Sequence, residues 1–478
     1  MSTFPPVEDA AARLVTDLTF DVIPPEALTG VRTLMQDQLS LQIGCSALPW
    51  NRAVLELTRA EHAPGRSHVS VSGDAVSAAD AAFVNATYGH SFEYDDAHRA
   101  SSSHPGSAVV SAALAIGEEL GATMREVVTG IVAGYEIYTR IGNLAAPELL
   151  EAGFHPHGLL ANFGAAAVAA KMYGFDAETT ANALGIALSH ASGTTEYTST
   201  GGSVKRVHAG IGTRNGIRAA KMAGTGITGP TAFLTGAKGF FRTFVGRSVD
   251  DGARAAFGLG RPFEITRVWI KPYCCCGINH AYIDGARQLR DGADDIGLRG
   301  RADDIEKVTL KIQSGGDVVI GNRNANAFAP QLIDHLQYSL PFQFSLALLG
   351  YGNGFSAHYA YLAGKLDIGP GSDVAALASK IEIVVDPELD AKYPGRWIAD
   401  IGVDYTDGTR RAVFVDNPIG TAENPMPQDE LDAKFHDLTD AILGTAGSAA
   451  LLDAIQNPDP DQTAADFVTL LCTARSVV

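Results

Sequence analysis

Residues 159–172 read LLANFGAAAVAAKM, a run long enough for about four turns of α-helix. Its small and apolar side chains cover most of the helix circumference, which is typical of a helix inside a protein rather than in a surface layer. The same pattern recurs at residues 109–120, 126–141 and 177–190, and Thr123-x-x-Glu126 has the form of a capping box before the second of these. We therefore expect residues 1–267 to form a large all-helical domain.

The pattern changes after Pro262, where apolar and polar residues begin to alternate. Alternating or β-branched residues occupy four short runs, at 308–312, 381–385, 401–405 and 412–415. This period of two predicts strands, and Asp407-Gly408 between the last two runs predicts a hairpin turn.

Helical stretches at 280–289 and 340–349 interrupt the strands, so residues 268–420 are predicted to be a smaller α+β domain. The chain becomes helical again from Gln428 to Leu443, and we expect residues 421–478 to return to the first domain. The predicted fold class is mainly α, with the α+β domain inserted into the helical one.

Composition excludes several classes of protein. Hydrophobic residues make up 46% of the 478 residues and charged residues 19%, which excludes an intrinsically disordered chain. Lys and Arg total 36 against 54 Asp and Glu, a formal net charge of −18, so we expect no nucleic-acid partner, because no general basic surface exists to neutralise phosphates.

The sequence also favours a cytoplasmic location. No 18 apolar residues follow one another, and the N-terminus lacks a signal-peptide pattern, so we expect no membrane partner. The five cysteines lack the spacing of a secreted disulfide framework, which favours a reducing compartment.

The first polar cluster spans residues 90–106 and reads HSFEYDDAHRASSSHPG. It places Glu93, Asp95 and Asp96 within four positions, and His98 and His104 follow on a Ser-rich loop. Crowded carboxylates raise one another's pKa and favour the charged form of a nearby imidazole, which is how an active site divides acid from base roles. The alternative is an exposed loop in which an aspartate caps a helix.

Two further clusters each precede a helix of small residues. The segment GFHPHG, residues 153–158, puts His155 and His157 at a predicted helix N-terminus, where the dipole keeps an imidazole neutral and attracts an anion. In residues 201–210, Lys205 and His208 lie three apart and would offer two donors to a carboxylate from one helix face. The alternatives are solvent-facing loop histidines and a solvated basic turn.

The segment KPYCCCGINH, residues 271–280, opens the predicted α+β domain. Three adjacent cysteines cannot all face one ion and no C-x-x-C pair lies elsewhere, so we expect buried reduced thiols. His280 would begin a helix at the junction between domains, where ligand clefts are common.

A metal site is the competing interpretation of the polar clusters, since Asp95, Asp96, His155 and His157 are acceptable ligands. His-x-x-x-His and Glu-x-x-x-His spacings on one helix are absent, however. We therefore expect no metal, and a metal-dependent hydrolase stays as an alternative.

The ordered set of these segments resembles the MmgE/PrpD family, which includes 2-methylcitrate dehydratase, cis-aconitate decarboxylase and iminodisuccinate epimerase. The matching motifs are Asp95-Asp96 with His104-Pro-Gly, Gly153-Phe-His-Pro, Lys205-x-x-His208-x-Gly, and Lys271-Pro-Tyr-x-Cys-Cys with His280. The resemblance implies a large helical domain, a smaller α+β lid domain, a homodimer, and an active site between the domains that needs no metal or organic cofactor.

The resemblance also implies the residues of the site. The positions that match the family's pocket are His104, His155, Lys205, His208 and His280, with Asp95 and Asp96 as its acidic pair and Glu93 where several members have Asp. The chain departs from the family pattern in three places. The loop between Asp96 and His104 is one residue longer, Ala97 replaces a common hydroxyl residue, and His157 lies where Thr or Ser is common.

Each matched position has an expected role. We interpret His104 and His155 as the proton-transfer pair, and Asp95 or Asp96 as the group that orients an imidazole. Substrate binding is assigned to the remaining four residues: Glu93, Lys205, His208 and His280. Among them, Lys205 and His208 would clamp a carboxylate, and His280 would be a donor from the lid.

We therefore expect a cofactor-independent lyase or isomerase that acts on a small di- or tricarboxylate through a carbanion-like centre next to a carboxylate. The nominal activity is that of a hydro-lyase resembling 2-methylcitrate dehydratase. Decarboxylation of the cis-aconitate type and epimerisation of the iminodisuccinate type need the same groups and stay open. A non-catalytic, metabolite-binding family member is the alternative of another class.

Overall fold

The computed structural model describes residues 3–291, 302–393 and 395–472. The chain divides into two compact units, one formed by Met1–Trp269 with Leu438–Val478 and one formed by Ile270–Asp437. The first unit is helical apart from two very short strands, and the second combines helices with a four-stranded sheet. The predicted mainly α fold with a smaller α+β part is confirmed.

Before the chain enters the second unit, the first unit contains the α-helices Pro6–Asp17 (α1), Pro25–Gly44 (α2), Pro49–Glu61 (α3), Ala78–His90 (α4), Pro105–Leu120 (α5), Met124–Ala145 (α6), Glu148–Glu151 (α7), Pro156–Met172 (α8), Ala177–Leu188 (α9), Tyr197–Thr200 (α10) and Val204–Gly224 (α11). The two short strands are Ser67–His68 (β1) and Ala75–Val76 (β2), which pair antiparallel.

Sequence signals explain where several of these helices begin. Five of them start with proline in the first turn, where a missing N–H costs nothing because that group would have no partner within the helix. The predicted capping box of α6 is present, since Thr123 accepts from the backbone of Glu126 and the Glu126 side chain accepts in return. The four predicted interior helices are all found, as α5, α6, α8 and α9.

Helix α8 lies in the interior of the first unit and packs against α5, α6 and α11. Fifteen of its seventeen residues are buried, as its apolar circumference predicts. Small residues let the neighbouring helices approach closely. A Cβ at Gly216 of α11 would lie only 2.4 Å from the carbonyl oxygen of Asn162 in α8, so this crossing requires glycine.

The second unit contains the strands Ile305–Ile312 (β3), Ile381–Val385 (β4), Ala399–Tyr405 (β5) and Arg410–Val415 (β6). The sheet order is β4-β3-β5-β6, with β3 and β4 parallel and the other neighbours antiparallel. The predicted hairpin joins β5 to β6, and Gly408 in its turn has the left-handed φ of 82° that the Asp-Gly pair supplies.

The helices of the second unit are His280–Asp291 (α12), Ser314–Ile320 (α13), Ile333–Gln337 (α14), Leu340–Leu349 (α15), Phe355–Leu362 (α16), Asp373–Ala378 (α17) and Pro387–Asp390 (α18). Helices α12 and α15 pack against each other, and α12 also contacts β5 and β6. The core between them is made of apolar residues from the sheet and both helices, including Val308, Leu310, Ile401, Ile283 and Phe344.

The chain ends with Gln428–Gln456 (α19) and Ala464–Val468 (α20). Gly444 has φ 72° and ψ 156° and interrupts α19, so it consists of two helical pieces. Among the described residues, α19 alone is long and apolar enough to cross a membrane by length and composition. Core helices of soluble proteins pass the same test, so this is weak support for a membrane span.

Candidate active site

His104 and His155 occupy equivalent places at the starts of two buried helices. Each is the residue before α5 or α8, and each is followed by proline in the first helical turn. Proline fixes its own φ and restricts the residue before it, so both imidazoles project from a defined backbone. The sequence therefore places both histidines on the ends of rigid elements rather than within flexible loops.

The His104 side chain is held by its Nδ1 atom. Nδ1 donates to the main-chain carbonyl of Asp96 at 2.7 Å and lies 3.9 Å from Oδ1 of Asp95. A proton fixed on Nδ1 leaves the lone pair of the neutral ring on Nε2, which is the atom that would exchange a proton with a substrate. The imidazole is 18% exposed, against 1% for the Asp95 side chain beside it, so it is the more accessible of the two.

Asp96 anchors the start of α5 rather than orienting an imidazole through its carboxylate. Both of its carboxylate oxygens accept from the N–H of Gly106, and Oδ1 also accepts from Nε2 of Gln38 at 2.9 Å. Burial raises the pKa of Asp96 well above its usual range, and the nearby Asp95 and Asp37 add to the rise. The predicted crowding of carboxylates therefore acts here, although burial has the larger effect.

Asp95 makes the orienting contacts of the acidic pair. Its Oδ2 accepts from Nδ1 of His90 at 2.7 Å, and its Oδ1 faces His104. Of the two aspartates expected to orient an imidazole, the geometry therefore favours Asp95.

His155 and His208 form a direct imidazole pair. Their Nδ1 atoms are 2.9 Å apart, so one ring must donate to the other and the two share one proton at this contact. Burial lowers the pKa of His155 well below its usual range, with the neighbouring His208 and His104 lowering it further. Burial and then the charge of Lys205 lower the pKa of His208. The neutral state expected for His155 is thus favoured, with burial as the largest of these causes.

The loop after α9 fixes this pair in place. The N–H of His155 donates to the carbonyl of Gly193 at 3.0 Å. Gly193 has φ 118°, and a Cβ there would lie 3.3 Å from Cε1 of His208. Only glycine adopts this backbone readily and leaves room for the ring.

Lys205 and Glu93 form a buried ion pair. Both side chains are less than 10% exposed, and Glu93 holds the left-handed φ of 56°, which is uncommon outside glycine and clusters at functional sites. Lys205 and His208 lie on the first turns of α11, as expected, but each already contacts another member of the site. A substrate carboxylate at Lys205 would therefore share the cation with Glu93.

Arg206, next to Lys205, has a structural role. Its guanidinium stacks 4.2 Å from the centre of the Trp50 ring and donates to the carbonyl of Ser91 at 2.8 Å. It ties α11 to the end of α4, where the acidic segment begins.

Three residues in this cluster were not assigned from the sequence: His90, His157 and Tyr138. The His90 ring centre lies 4.4 Å from that of His157, 5.3 Å from His104 and 5.9 Å from His155. His90 was visible as the first residue of the acidic cluster, and His157 as a departure from the family pattern. Tyr138 lies in an apolar helix and gave no signal.

Other predicted residues lie elsewhere. His98 is buried outside the cluster, where its Nε2 contacts Glu264 at 3.2 Å and its Nδ1 contacts Ser101. His280 begins α12 in the second unit, with Nε2 donating to the Cys275 carbonyl at 3.3 Å, and its part in the site stays a prediction. Burial raises the pKa of the Cys275 thiol, as expected for a structural cysteine.

Metal ligation has no geometric support within residues 3–291, 302–393 and 395–472. No three His, Cys, Asp or Glu side chains there converge on a point that could hold an ion. The cluster instead offers an accessible imidazole, a neutral imidazole pair and one paired cation. Such a set can move a proton at a carbon next to a bound carboxylate.

Comparison with known proteins supplies the wider context. The MmgE/PrpD N-terminal domain model matches residues 9–251 and the MmgE/PrpD C-terminal domain model matches residues 273–458. The chain is 24% identical to cis-aconitate decarboxylase of Aspergillus terreus over 481 aligned residues, covering 96% of this chain and 95% of the relative. It is 24% identical to the cis-aconitate decarboxylase-like protein oryM of Aspergillus oryzae, with the same coverage, and 23% identical to human cis-aconitate decarboxylase, covering 82% and 79%.

Proposed function

We propose, from the premise that the chain belongs to the MmgE/PrpD family, that it is a cofactor-independent decarboxylase of a small, unsaturated di- or tricarboxylate. The decarboxylase relatives support a lyase of this family. The observation that carries the proposal is the cluster in which accessible His104 and the His155–His208 pair both pack near His90, with ring centres of His104 and His155 at 5.3 and 5.9 Å from that of His90.

The two histidines can divide the chemistry. Asp95, 3.9 Å from His104, favours the charged imidazolium, whereas burial keeps His155 neutral. In decarboxylation, the bond from the substrate carbon to one carboxylate breaks, CO2 leaves and the electron pair stays on carbon. His104 then gives the proton on Nε2 to that carbon and recovers it from water, while its Nδ1–H stays on the Asp96 carbonyl.

Lys205 supports the same reaction by holding a second carboxylate. Because Glu93 already neutralises this cation, the ammonium serves to fix the position of the substrate more than to add charge to the pocket. The neutral imidazoles nearby leave the reacting carboxylate without strong ionic stabilisation. A carboxylate that is poorly stabilised in its ground state is more easily lost as CO2.

Dehydration is the second candidate, and the same groups support it. A neutral His155 can remove a proton next to a carboxylate while protonated His104 assists the departure of hydroxide. We place decarboxylation first because the relatives reported above carry decarboxylase names over almost the full chain. Epimerisation follows, since it needs proton removal and return at one carbon.

The test is a substrate screen with the purified full chain in deuterated water containing EDTA. Cis-aconitate, 2-methylcitrate and iminodisuccinate are incubated separately and followed by proton NMR and by CO2 release. We expect release of CO2 with one deuterium incorporated per turnover. Because we propose an enzyme that needs no metal, the rate should be the same with and without EDTA. An alkene formed without CO2 would replace decarboxylation by dehydration, and proton exchange accompanied by a second diastereomer would indicate epimerisation.

Variants link the activity to the site. Lys205→Ala should abolish most of it, and Lys238→Ala, which changes an exposed lysine of the same unit, should not. Binding of all three acids without turnover or proton exchange would support a non-catalytic binding protein instead.

We further propose a homodimer, which light scattering should detect as a species of twice the chain mass.

A further inference from the structure

The hydroxyl of Tyr138 lies between the segment that contains His104 and the segment that contains His155, here called the two histidine segments. It is on α6, fully buried, and contacts Nδ1 of His157 at 2.6 Å. It also forms a short hydrogen bond with Oγ of Ser103 and accepts from the backbone N–H of His104. One phenol therefore touches both the residue pair that precedes α5 and the first turn of α8.

The contacts of His157 complete a continuous chain of hydrogen bonds. Its Nε2 lies 3.1 Å from Oγ of Ser107 on α5, so both ring nitrogens contact hydroxyl groups. A phenol is a stronger donor than an imidazole N–H, and we assign Tyr138 as the donor to Nδ1 and Nε2–H as the donor to Ser107. The ring is completely buried, and burial lowers its pKa well below the usual range, which favours the neutral form of His157.

This neutral ring is in contact with the rest of the cluster. Its centre lies 4.4 Å from that of His90, 6.0 Å from His155 and 6.2 Å from His104. A change in the orientation of His157 would therefore disturb each of these imidazoles.

We infer that Tyr138 is a positioning residue that couples the His104 segment to the His155 segment, with His157 as the intermediate. Only the kinetic consequence of this inference rests on the proposed function. The hydroxyl does not exchange protons with the substrate; it fixes the distance between two groups that do. Small displacements of reacting groups cost large factors in rate, so the coupling is expected to affect turnover more than substrate affinity.

The chain offers a matched control on the same helix. Tyr135 is also fully buried on α6, one turn before Tyr138, and within the described residues its hydroxyl has no hydrogen-bond partner. Tyr138→Phe and Tyr135→Phe thus each remove one buried hydroxyl from the same helix. Only the first removes contacts to the histidine segments.

We expect Tyr138→Phe to lower kcat by about 10- to 100-fold while KM stays within about threefold. Tyr135→Phe should keep both constants near the wild-type values. Equal kcat values for the two variants would overturn the inference. Circular dichroism and melting temperature check folding, and if Tyr138→Phe fails to fold, Ser107→Ala replaces it as the test. That variant removes the other partner of His157 and should lower kcat about 3- to 10-fold, and an unchanged kcat would overturn the inference.

A second measurement separates this inference from the proposed function. Histidines are labelled with 15N, and the nitrogen shifts of His157 are assigned by their loss in His157→Gln. The wild type should show a neutral ring, and Tyr138→Phe should shift the Nδ1 resonance, whereas Tyr135→Phe should not. Unchanged shifts in Tyr138→Phe would refute the coupling even in an active enzyme. A shift in a protein that turns over none of the acids would leave the coupling supported and the proposed function refuted.

Discussion

Replacing His104 by glutamine tests the proposed division of acid and base roles. Glutamine keeps a hydrogen-bond donor but cannot carry a proton in this pH range. Loss of a general acid or base lowers kcat by about two to four orders of magnitude, which corresponds to about 3 to 5 kcal/mol of barrier. The structural loss is smaller, since the 2.7 Å bond from His104 to the Asp96 carbonyl contributes about 1 kcal/mol. Lost positioning alone therefore cannot explain the expected decrease.

The assay compares His104→Gln and His155→Gln by steady-state turnover and by exchange of substrate protons in deuterated water. His62→Gln is the control, because His62 is an exposed residue after α3 whose ring contacts only nearby main-chain carbonyls among the interactions described. Both site variants should lose kcat, whereas His62→Gln should match the wild type. If both site variants keep kcat and change only KM, the histidines are binding groups, and the His90–Asp95 pair, Asp96 or His280 becomes the candidate for proton transfer.

Three further predictions concern the cysteine segment, Lys205 and His358. Replacing residues 274, 275 and 276 singly by serine or alanine should keep turnover within about tenfold, and a variant that folds but is inactive would contradict a structural role. Lys205→Arg should raise KM and keep partial activity, Lys205→Ala should lose far more, and trapping of substrate on Lys205 by borohydride would refute the carboxylate contact. His358 in α16 is buried, and burial lowers its pKa to about 4. Below about pH 6.5 the unfolded chain then binds more protons at His358 than the folded chain. The contribution of His358 to the free energy of unfolding, which is complete above that pH, therefore decreases by about 2 kcal/mol by pH 5. Urea unfolding should show the stability gap between wild type and His358→Gln narrowing by that amount as the pH falls, and a constant gap would show that His358 does not titrate in this way.

The fold could be predicted because its signals are local. Apolar circumference, proline in the first helical turn and the Thr123 capping box are each readable over a few residues, and so is the alternation in β3 and β5. The predicted helix over residues 428–443 also ends where the structure has its break, because Gly444 takes the left-handed φ of 72° that glycine supplies after a helix end.

The candidate site was only partly predictable. His104, His155, Lys205 and His208 lie at helix starts, where short motifs mark them, and the structure brings these four together in one unit. The contacts of Tyr138 with Ser103 and His157 join residues far apart in the chain, so no local pattern could indicate them. Asp95 and Asp96 looked equivalent in the sequence, and only the packing of Gln38 and Gly106 assigns Asp96 to the support of α5.

The helices that begin after His104 and His155 also determine how fast the site can change shape. Fourteen of sixteen residues in α5 and fifteen of seventeen in α8 are buried, so their amide hydrogens should be among the slowest to exchange with solvent in this unit. Opening either helix would expose much of the interior, at a free energy near that of unfolding the whole unit. The two imidazoles are therefore insulated from the fast fluctuations of surface loops, and their spacing persists from one turnover to the next.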